Sequence, residues 1–425
     1  MSIPLDRLYH YIESIAEEIN GSSIIIYRFY PHGSKKLEDL CEPKLLTWKE
    51  ITIVPSIYCN DQEPLDYNYY KNYKLIGQSA WAALLKSCLI YTPNQNLKKY
   101  SSIYDQTLLL HSEQRSDNLK AYQKNQYITI YYWCHALLAR DWFRYAEYVT
   151  INKKPVKKFL IYNRAWSGTR EYRLKFADLL IDYNIVNDCQ TSIGFIDQNT
   201  YYKNHKFTNL QWQPLHHLEQ YFQNNLSSST SSADFAVEDY CATDIEVVLE
   251  TLFDDTRLHL TEKSLRPIAC GHPFILAATH GSLQYLRNYG FRTFGDIIDE
   301  SYDLIENPLD RLTAIVTSMK QITNWTEEER QYKMRVLQEI AEYNKQHFFS
   351  VNFFNQILNE LKENLTTAFT LFDSIKSSNQ WVNQWNEYLS HQYIIDFLKN
   401  NKEPGLVPTK TQVDLVNQEA KKYIK

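Results

Sequence analysis

The spacing of apolar residues changes repeatedly between helical and strand periods over the first 150 residues. A helix is predicted over 5–20, where the apolar positions are Leu5, Leu8, Ile12, Ile15 and Ile19. β-Branched and aromatic runs predict strands at 22–30, 51–59, 108–111 and 127–133, and helical spacing returns at 79–88 and 136–148. Strands that alternate with helices are typical of an α/β domain, here over residues 1–150.

The same alternation resumes after a short polar segment. Residues 151–158 contain one proline and four lysines, which predicts an interdomain linker. Beyond the linker, strands are predicted at 159–162, 245–253 and 273–277, and helices at 170–183 and 261–270. From Asn307 onward the pattern is helical, and the longest candidates are 327–346 and 352–375.

These boundaries predict an α/β protein with two Rossmann-like lobes. The first lobe spans 1–150, the linker 151–158 and the second lobe 159–306, and a helical extension covers 307–425. In folds of this kind, ligands bind in a cleft at the carboxyl ends of the parallel strands. The residues that directly follow predicted strands are therefore the first candidates for function.

Composition supports a folded protein without a membrane segment. The 425-residue chain is 44% hydrophobic and 22% charged, which is ordinary for a globular protein. It contains no apolar run of about 20 residues, and its N-terminus is acidic where a signal peptide would be basic. We therefore expect no membrane span and a cytoplasmic location.

Charge, cysteine and glycine content exclude several classes of function. The formal net charge of -5 excludes a protein that coats nucleic acid by bulk positive charge, although it allows a local basic groove. The seven cysteines occur singly and form no CxxC pair, so neither a disulfide framework nor a zinc ribbon is predicted. The ten glycines form neither the GxGxxG nor the GxxxxGK[ST] phosphate loop.

A segment that begins at Thr261 has residues suited to binding a nucleotide. Thr261 is placed to cap a helix, and Glu262 and Lys263 follow in its first turn. Gly271 is expected to end this helix and Pro273 to open a buried strand, so the helix should begin at the strand-end cleft. A carboxylate there can accept hydrogen bonds from both hydroxyls of a ribose. Helix capping alone is the other explanation.

Cationic residues are concentrated where the second lobe begins. The strand at 159–162 is followed by Asn163 and Arg164, and Arg170 and Arg173 enter the next helix. Guanidinium groups beside a helix N-terminus are suited to binding a diphosphate. An ordinary solvated helix start explains Arg173 equally well.

The first lobe contains residues suited to proton transfer. Asp61 and Glu63 lie on the loop after the strand at 51–59, where side chains can project into a cleft. His135 lies where a strand leads into a helix, and Arg140 and Asp141 follow on that helix. A surface turn is the alternative explanation for the two acids, and a core histidine beside an ion-paired Arg140 and Asp141 is the alternative for the helix.

The region from Thr261 to Asp303 resembles the donor-binding segment of GT-B nucleotide-sugar glycosyltransferases. In that fold a Glu-Lys pair opens a helix that ends at a small-residue turn. The order TEK-x-x-x-PI, GSL-x-x-LR, GF-x-TF and IDESYD is similar to glycosyltransferase-like proteins of tailed phages. The DQEP loop, the H-A-L-x-A-R-D-W segment and the Asn163-Arg164 pair are similar to the same family.

The resemblance implies a metal-independent glycosyltransferase that takes a UDP- or GDP-linked sugar as co-substrate and holds no tightly bound cofactor. The implied donor-binding residues are Asn163, Arg164, Arg170, Arg173, Thr261, Glu262, Lys263, Gly271 and Pro273. Asp61 is the first candidate for the base that removes the acceptor proton, followed by Glu63 and His135. No metal-binding carboxylate pair clearly follows a strand, and Asp254-Asp255 is the nearest imitation.

The phage resemblance implies that the acceptor is the hydroxyl of a hydroxymethylated or hydroxylated cytosine in duplex DNA, in the host cytoplasm. Such an enzyme would have to reach or flip the base and hold the DNA backbone. The implied acceptor-side residues are Arg140, Asp141, Lys157 and Lys158. Transfer to a saccharide, a noncatalytic sugar- or nucleotide-binding protein and a merely solvated lysine linker stay open. The nucleotide, the sugar, the stereochemistry and the oligomeric state also stay open.

Overall fold

The computed structural model describes residues 11–12, 14–16, 18–19, 25–27, 56–60, 108–124, 128–222 and 234–376. The candidate bases Asp61 and Glu63 and the predicted helix at 79–88 lie outside the described residues. The chain divides into two compact units, residues 1–134 with 358–425, and residues 135–357. This division differs from the predicted boundaries, because residues 135–158 and much of the helical extension group with the second unit.

The first unit contains a parallel sheet. Its strands are β1 (Ile25–Tyr27), β2 (Ser56–Asn60), β3 (Leu108–His111) and β4 (Ile128–Tyr131), which lie side by side in chain order. Each neighbouring pair is parallel. Helix α1 (Asp117–Lys124) connects β3 to β4, and the described residues between 11 and 19 are helical. The strands predicted in this part of the chain are therefore confirmed.

The second unit contains a second parallel sheet. Its strands are β5 (Lys157–Asn163), β6 (Cys189–Ile193), β9 (Thr243–Leu249) and β10 (Phe274–Ala277). Between β6 and β9, β7 (Ile196–Asp197) and β8 (Thr200–Tyr201) form a separate short antiparallel pair. The spatial order is β10-β9-β5-β6, with all neighbours parallel. After β5 the chain continues to β6 on one side of the sheet, and after β9 it continues to β10 on the other side. Ligands of open parallel sheets bind at such a switch point, here the carboxyl ends of β5 and β9.

Most of the remaining helices belong to the second unit, and residues 358–376 of the last one group with the first unit. They are α2 (Cys134–Trp142), α3 (Tyr172–Asp182), α4 (Val237–Cys241), α5 (Glu262–Cys270), α6 (Ser282–Asn288), α7 (Pro308–Thr323), α8 (Glu327–Phe349) and α9 (Val351–Lys376). Local capping signals explain where the predicted helices begin. Asn307 caps α7, and Thr326 and Glu329 form a reciprocal capping box at α8. Within the described ranges, no helix combines the length and the apolar run that crossing a bilayer requires.

A buried ionic network joins α5 to the centre of the second sheet. The Arg266 guanidinium on α5 donates to the Glu246 carboxylate on β9 at 2.5 Å and to the Tyr240 hydroxyl at 3.0 Å. Tyr240 in turn donates to Glu246 at 2.7 Å, and Arg266 also stacks over the ring of Tyr162 at 4.3 Å. Because the charges are buried together, the network fixes how α5 lies on β9.

Removing one member of this pair should destabilise the second unit. Glu246→Ala leaves the buried guanidinium of Arg266 without its carboxylate, at a cost of about 3–5 kcal/mol in the free energy of unfolding. The double variant Glu246→Met with Arg266→Met removes both charges and should recover most of that loss. Urea unfolding of the three proteins measures both values. A single variant as stable as the parent would contradict this account of the network.

Candidate functional site

Glu250 holds the first turn of α5 at the carboxyl end of β9. Glu250 directly follows β9, and its carboxylate accepts hydrogen bonds from the Thr261 backbone N at 3.0 Å, the Thr261 hydroxyl at 2.7 Å and the Ser264 hydroxyl at 2.5 Å. Thr261 caps the helix as predicted, with its Oγ1 accepting from the Lys263 N. The helix N-terminus therefore lies at the strand-end edge where a ligand would bind.

Two acid–base side chains and a cation lie together beside this helix start. The Glu262 carboxylate is 2.8 Å from the Lys263 ammonium and 3.4 Å from the His135 Nδ1. The His135 ring packs edge-on against His259, with the centroids 5.2 Å apart. We call these four residues the α5 cluster. It combines a candidate base, His135, with two candidate donor-binding residues, which the sequence assigned to different lobes.

The α5 cluster can accept hydroxyl groups and exchange protons. Glu262 and His135 are buried, whereas Lys263 is partly exposed and can move its ammonium toward a ligand. A buried carboxylate beside an ammonium and an imidazole has strong hydrogen-bonding capacity, because little water competes with it. The arrangement thus suits a ligand that presents paired hydroxyls and a negatively charged group.

Sequence reasoning missed two residues of this region. Glu250 lies eleven positions before the helix that it caps, so no local pattern links it to Thr261. His259 lies two residues before that capping threonine, and its pairing with His135 depends on α2 packing beside α5. The strand predicted over 245–253 ends at Leu249 in the structure, so the sequence placed Glu250 inside the strand and not at its carboxyl end.

Arg164 and Arg173 differ in what they bind within the chain. Arg173 is buried, and its guanidinium donates to the backbone oxygens of Ala165 at 2.6 Å and Leu249 at 2.6 Å, joining the ends of β5 and β9. Asn163 is also buried, and its Nδ2 donates to the Arg173 oxygen at 2.9 Å. Asn163 and Arg173 lie near the strand ends, as predicted, but their bonds hold the ends of β5 and β9 together within the chain.

Arg164 remains available to a ligand. It is half-buried, and no described residue forms a hydrogen bond or ion pair with its guanidinium. Burial, together with the positive charge of Arg266, lowers the pKa of Arg164 below its ordinary value. A cation held near a like charge at the end of β5 would gain from binding an anion.

The loop between β5 and α3 binds a carboxylate of the chain itself. The backbone N–H groups of Trp166 and Ser167 both donate to Asp197 Oδ2, at 2.8 and 2.7 Å. Burial alone would raise the pKa of Asp197, but the hydrogen bonds from Ser167 and Trp166, with a smaller effect of the charge of Arg170 at the end of the loop, keep it below the ordinary value. Asp197 therefore occupies backbone donors that a phosphate could have used.

Gly271 and Pro273 lie at the other end of α5 from Glu262. Gly271 ends the helix in the left-handed conformation, with a φ of 64°, as predicted for a helix C-terminus. Nine helical residues separate it from the helix start, which corresponds to about 13 Å. The structure thus does not bring these two predicted donor-binding residues together with Glu262 and Lys263.

Arg140 caps the carboxyl end of α8. Its guanidinium donates to the backbone oxygens of Phe348 at 2.5 Å and Phe349 at 2.6 Å. This is a favourable place for a cation, because the last carbonyls of a helix carry partial negative charge. Asp141 lies 4.0 Å from the exposed Arg144. The predicted acceptor-side role of Arg140 and Asp141 stays a prediction, although Arg140 has an evident structural task.

The lysines of the predicted linker are bonded within the second unit. Lys157 and Lys158 belong to the amino-terminal end of β5, and Lys158 forms an ion pair with Asp188 at 2.8 Å. Lys157 donates to the Asn187 backbone oxygen at 2.5 Å. Both lysines therefore lie at the amino ends of the strands, opposite the carboxyl ends where a ligand would bind.

Lys153 is partly buried, and its ammonium bonds within the second unit. Its ammonium lies 2.8 Å from the Thr243 oxygen and 2.5 Å from His272 Nδ1. Burial lowers the pKa of Lys153 to about 7, although the charge of Asp244 opposes this change. Lys153 is thus part of the packing at the amino end of β9.

Asp178, Asp182 and His216 form one cluster with metal-ligand character among the described residues. Their candidate ligand atoms lie within 4.8 Å of one another. Asp178 is, however, already engaged by the Lys175 ammonium at 2.6 Å and by His216 Nδ1 at 2.8 Å. A metal ion would have to displace both, so this group is better described as an ion-pair network. The Asp254-Asp255 pair is engaged similarly, by Trp212 and Arg257.

No family model, curated protein or solved structure matches the chain.

Replacing each of the two arginines should separate a structural from a binding role. Arg173→Met leaves the backbone oxygens at the ends of β5 and β9 without their charged donor and should lower the free energy of unfolding by about 2–4 kcal/mol. Arg164→Met should change it by no more than about 0.5 kcal/mol, because Arg164 bonds to no described residue. Equal losses in urea unfolding would show that Arg164 is structural as well.

The buried ammonium of Lys153 should make stability depend on pH. Between its lowered pKa of about 7 and its ordinary value of 10.5, the unfolded chain holds a proton at this site that the folded chain has lost. Stability therefore rises with pH across this window, by at most about 1.4 kcal/mol per pH unit. Urea unfolding at several pH values should show a steeper rise for the parent than for Lys153→Met. Parallel curves would mean that Lys153 keeps its ordinary pKa.

Proposed function

We propose that the chain is a metal-independent glycosyltransferase of the GT-B type, and that its second unit binds the nucleotide-sugar donor. The observation that carries the proposal is the buried Glu262 carboxylate at the start of α5, which Glu250 holds at the carboxyl end of β9. The parallel sheet of each unit supports the same proposal, because both lobes of a GT-B enzyme are parallel α/β domains.

Glu262 is suited to the ribose of the donor. A carboxylate can accept hydrogen bonds from two neighbouring hydroxyls at once, and its burial strengthens both bonds. The Lys263 ammonium lies 2.8 Å from this carboxylate. Ribose hydroxyls would replace the ammonium at Glu262 and release Lys263 toward the negatively charged diphosphate.

Arg164 and Lys263 are the cations that we assign to the diphosphate. Arg164 follows β5 and has no partner among the described residues, and Lys263 follows the cap of α5. Negative charge accumulates on the diphosphate as the sugar leaves, so fixed cations would stabilise the transition state. Arg170 is a further candidate, since it lies at the loop that follows β5.

The transfer itself requires a base for the acceptor hydroxyl. The bond from the anomeric carbon to the diphosphate breaks, a bond to the acceptor oxygen forms, and the hydroxyl proton passes to the base. His135 is the candidate base within the described residues, 3.4 Å from Glu262. Asp61 and Glu63 stay candidates on the resemblance alone. In this proposal Glu262 also orients the imidazole of His135.

Two acceptors are candidates, a modified cytosine in duplex DNA and a saccharide. The resemblance to phage proteins favours a modified cytosine in duplex DNA. The bonding of Lys157, Lys158 and Arg140 within the chain favours a saccharide instead, because these cations were the ones expected to hold the DNA backbone. The reaction chemistry at the donor is the same for both acceptors.

Replacing Glu262 should weaken donor binding without unfolding the protein. Glu262→Gln keeps the size of the side chain but loses the charge that accepts the ribose hydroxyls, so the Kd for the preferred nucleotide-sugar should rise about 10–100-fold. The matched control is Glu329→Gln, which also lies in the first turn of a helix, where glutamine can replace glutamate in a capping box. Thermal shift with UDP-, GDP-, CMP- and dTDP-sugars measures both proteins. Equal affinities would contradict the ribose role of Glu262.

The acceptor should be identified by product analysis. The donor that stabilises the protein is incubated with duplex DNA that contains hydroxymethylcytosine, and the nucleosides are then examined by mass spectrometry. A glycosylated nucleoside would establish DNA as the acceptor. Donor binding without this product favours the saccharide, and binding without turnover on any hydroxyl acceptor favours a noncatalytic role. If no donor stabilises the protein, the proposal fails.

A further inference from the structure

The loop that follows β5 holds a carboxylate of the chain among donors that suit an anion. The backbone N–H groups of Trp166 and Ser167 donate to Asp197 Oδ2 at 2.8 and 2.7 Å, and the Ser167 hydroxyl also bonds to this carboxylate. The positive charge of Arg170 acts on the same carboxylate. Converging N–H groups, a hydroxyl and a guanidinium are donors that proteins use to bind phosphoryl groups. We call residues 166–170 the anion loop.

The outer side of the anion loop faces open space. Gly168, which directly follows Ser167, is exposed and has a φ of 63°. A Cβ atom added at Gly168 would meet no described atom within 4 Å. Thr169, the next residue, is also exposed. An anion larger than a carboxylate therefore has room beside the donors of this loop.

Asp197 lies on a hairpin that is separate from the parallel sheet. β7 and β8 have two residues each and pair with one another in a sheet of their own. The turn residues Gln198 and Asn199 are exposed, and Ile196 is 65% exposed. Among the described residues, the hydrogen bonds that join 196–201 to other elements are those of the Asp197 carboxylate. Movement of the turn that carries Asp197 would therefore expose little apolar surface.

The anion loop favours negative charge. Burial acts to raise the pKa of Asp197, yet the hydrogen bonds from Ser167 and Trp166 hold it below its ordinary value. The donors that stabilise this charge are not specific for a carboxylate. A phosphoryl group carries up to two negative charges and three acceptor oxygens, so it can use the same donors more fully.

We propose that Asp197 is an internal competitor for the anion loop, and that a phosphoryl group displaces it together with the turn of the β7–β8 hairpin. In the closed arrangement the carboxylate accepts the bonds from Trp166 and Ser167. In the open arrangement the phosphoryl oxygens accept them, and the Arg170 guanidinium pairs with the phosphoryl charge. The proposal does not rest on the proposed sugar transfer, because inorganic phosphate and pyrophosphate present the same oxygens.

A purely structural role of Asp197 predicts a different change in anion affinity. If the carboxylate only ties the hairpin to the loop, its removal loosens the loop, and anion binding weakens or does not change. If the carboxylate competes, its removal makes the donors accessible, and anion binding becomes tighter. The apparent Kd then approaches the intrinsic one, because a larger fraction of molecules has the loop open. The direction of the change in Kd separates the two roles.

Calorimetric titration of the full chain with pyrophosphate measures this direction. Asp197→Asn removes the charge at nearly constant size, and the Kd for pyrophosphate should fall at least about tenfold. The matched control is Asp296→Asn, because Asp296 is exposed, bonds to no described residue and changes the net charge equally. The control should bind pyrophosphate as the parent does. Unchanged or weaker binding by Asp197→Asn, or equal tightening in the control, would overturn the proposal.

A second substitution locates the bound anion. Adding Arg170→Gln to Asp197→Asn removes the cation of the anion loop, so most of the gain in affinity should be lost. A double variant that keeps the full gain would show that pyrophosphate binds elsewhere, and the proposal would fail.

Hydrogen exchange of the parent protein tests the displacement even if Asp197→Asn does not fold. Saturating pyrophosphate should speed amide exchange at 196–201 and slow it at 166–170. Unchanged exchange in both segments would contradict the proposal. Titration with UDP and inorganic phosphate then identifies the source of the phosphoryl group. Tighter UDP binding by Asp197→Asn assigns it to a nucleotide, whereas tightening confined to phosphate and pyrophosphate assigns it to a free anion.

Discussion

The carboxylate of Glu250 is the interaction on which the candidate donor site depends. It follows a fully buried strand and receives hydrogen bonds from two backbone and two side-chain donors at the start of α5. These bonds satisfy helix donors that would otherwise be unpaired in a buried place. They also fix where Glu262 and Lys263 lie relative to the strand ends. Glu250 therefore sets the position of Glu262 and Lys263, although Glu250 itself would not contact a ligand.

The same principle of buried charge organises the rest of the second unit. Arg266 with Glu246, Arg173 with backbone oxygens, and Arg330 with Asp244 each place a charge in the interior with a defined partner. Such charges contribute less to net stability than apolar packing would, but each one is costly to leave unpaired. Alternative packings of α3, α5 and α8 on the sheet are disfavoured for that reason.

Sequence patterns predicted the elements well where the signals were local. Helix α5 begins after Thr261 and ends at Gly271 because a cap and a left-handed glycine are properties of neighbouring residues. The start of β5 and the extent of the second unit were harder to predict from the sequence. Lys157 and Lys158 are predicted as part of a linker, yet their ammonium groups bond to Asn187, Asp188 and Thr323, which lie at least 30 positions along the chain.

Site residues showed the same division between local and distant causes. Arg164 and Arg173 are equally cationic in sequence, and only the tertiary structure distinguishes the one that bonds to strand ends from the one that does not. His135 was assigned to the first lobe because it lies before residue 150. It approaches Glu262 because residues 135–142 of α2 belong to the second unit. The spacing of apolar residues in the sequence does not predict this contact.

Together these placements narrow the chemistry that the second unit can perform. Of the cations that the sequence offers for binding an anion, Arg140, Arg173, Lys157 and Lys158 already hold oxygens of the chain. Arg164, which follows β5, and the exchangeable Lys263, at the start of α5, remain, and Arg170 at the loop after β5 is a further candidate. A buried carboxylate beside one ammonium, with a second cation after the neighbouring strand β5, suits a small ligand with a charged centre and neighbouring hydroxyls. An extended polyanion would need a longer row of unengaged cations than the described residues at this edge provide.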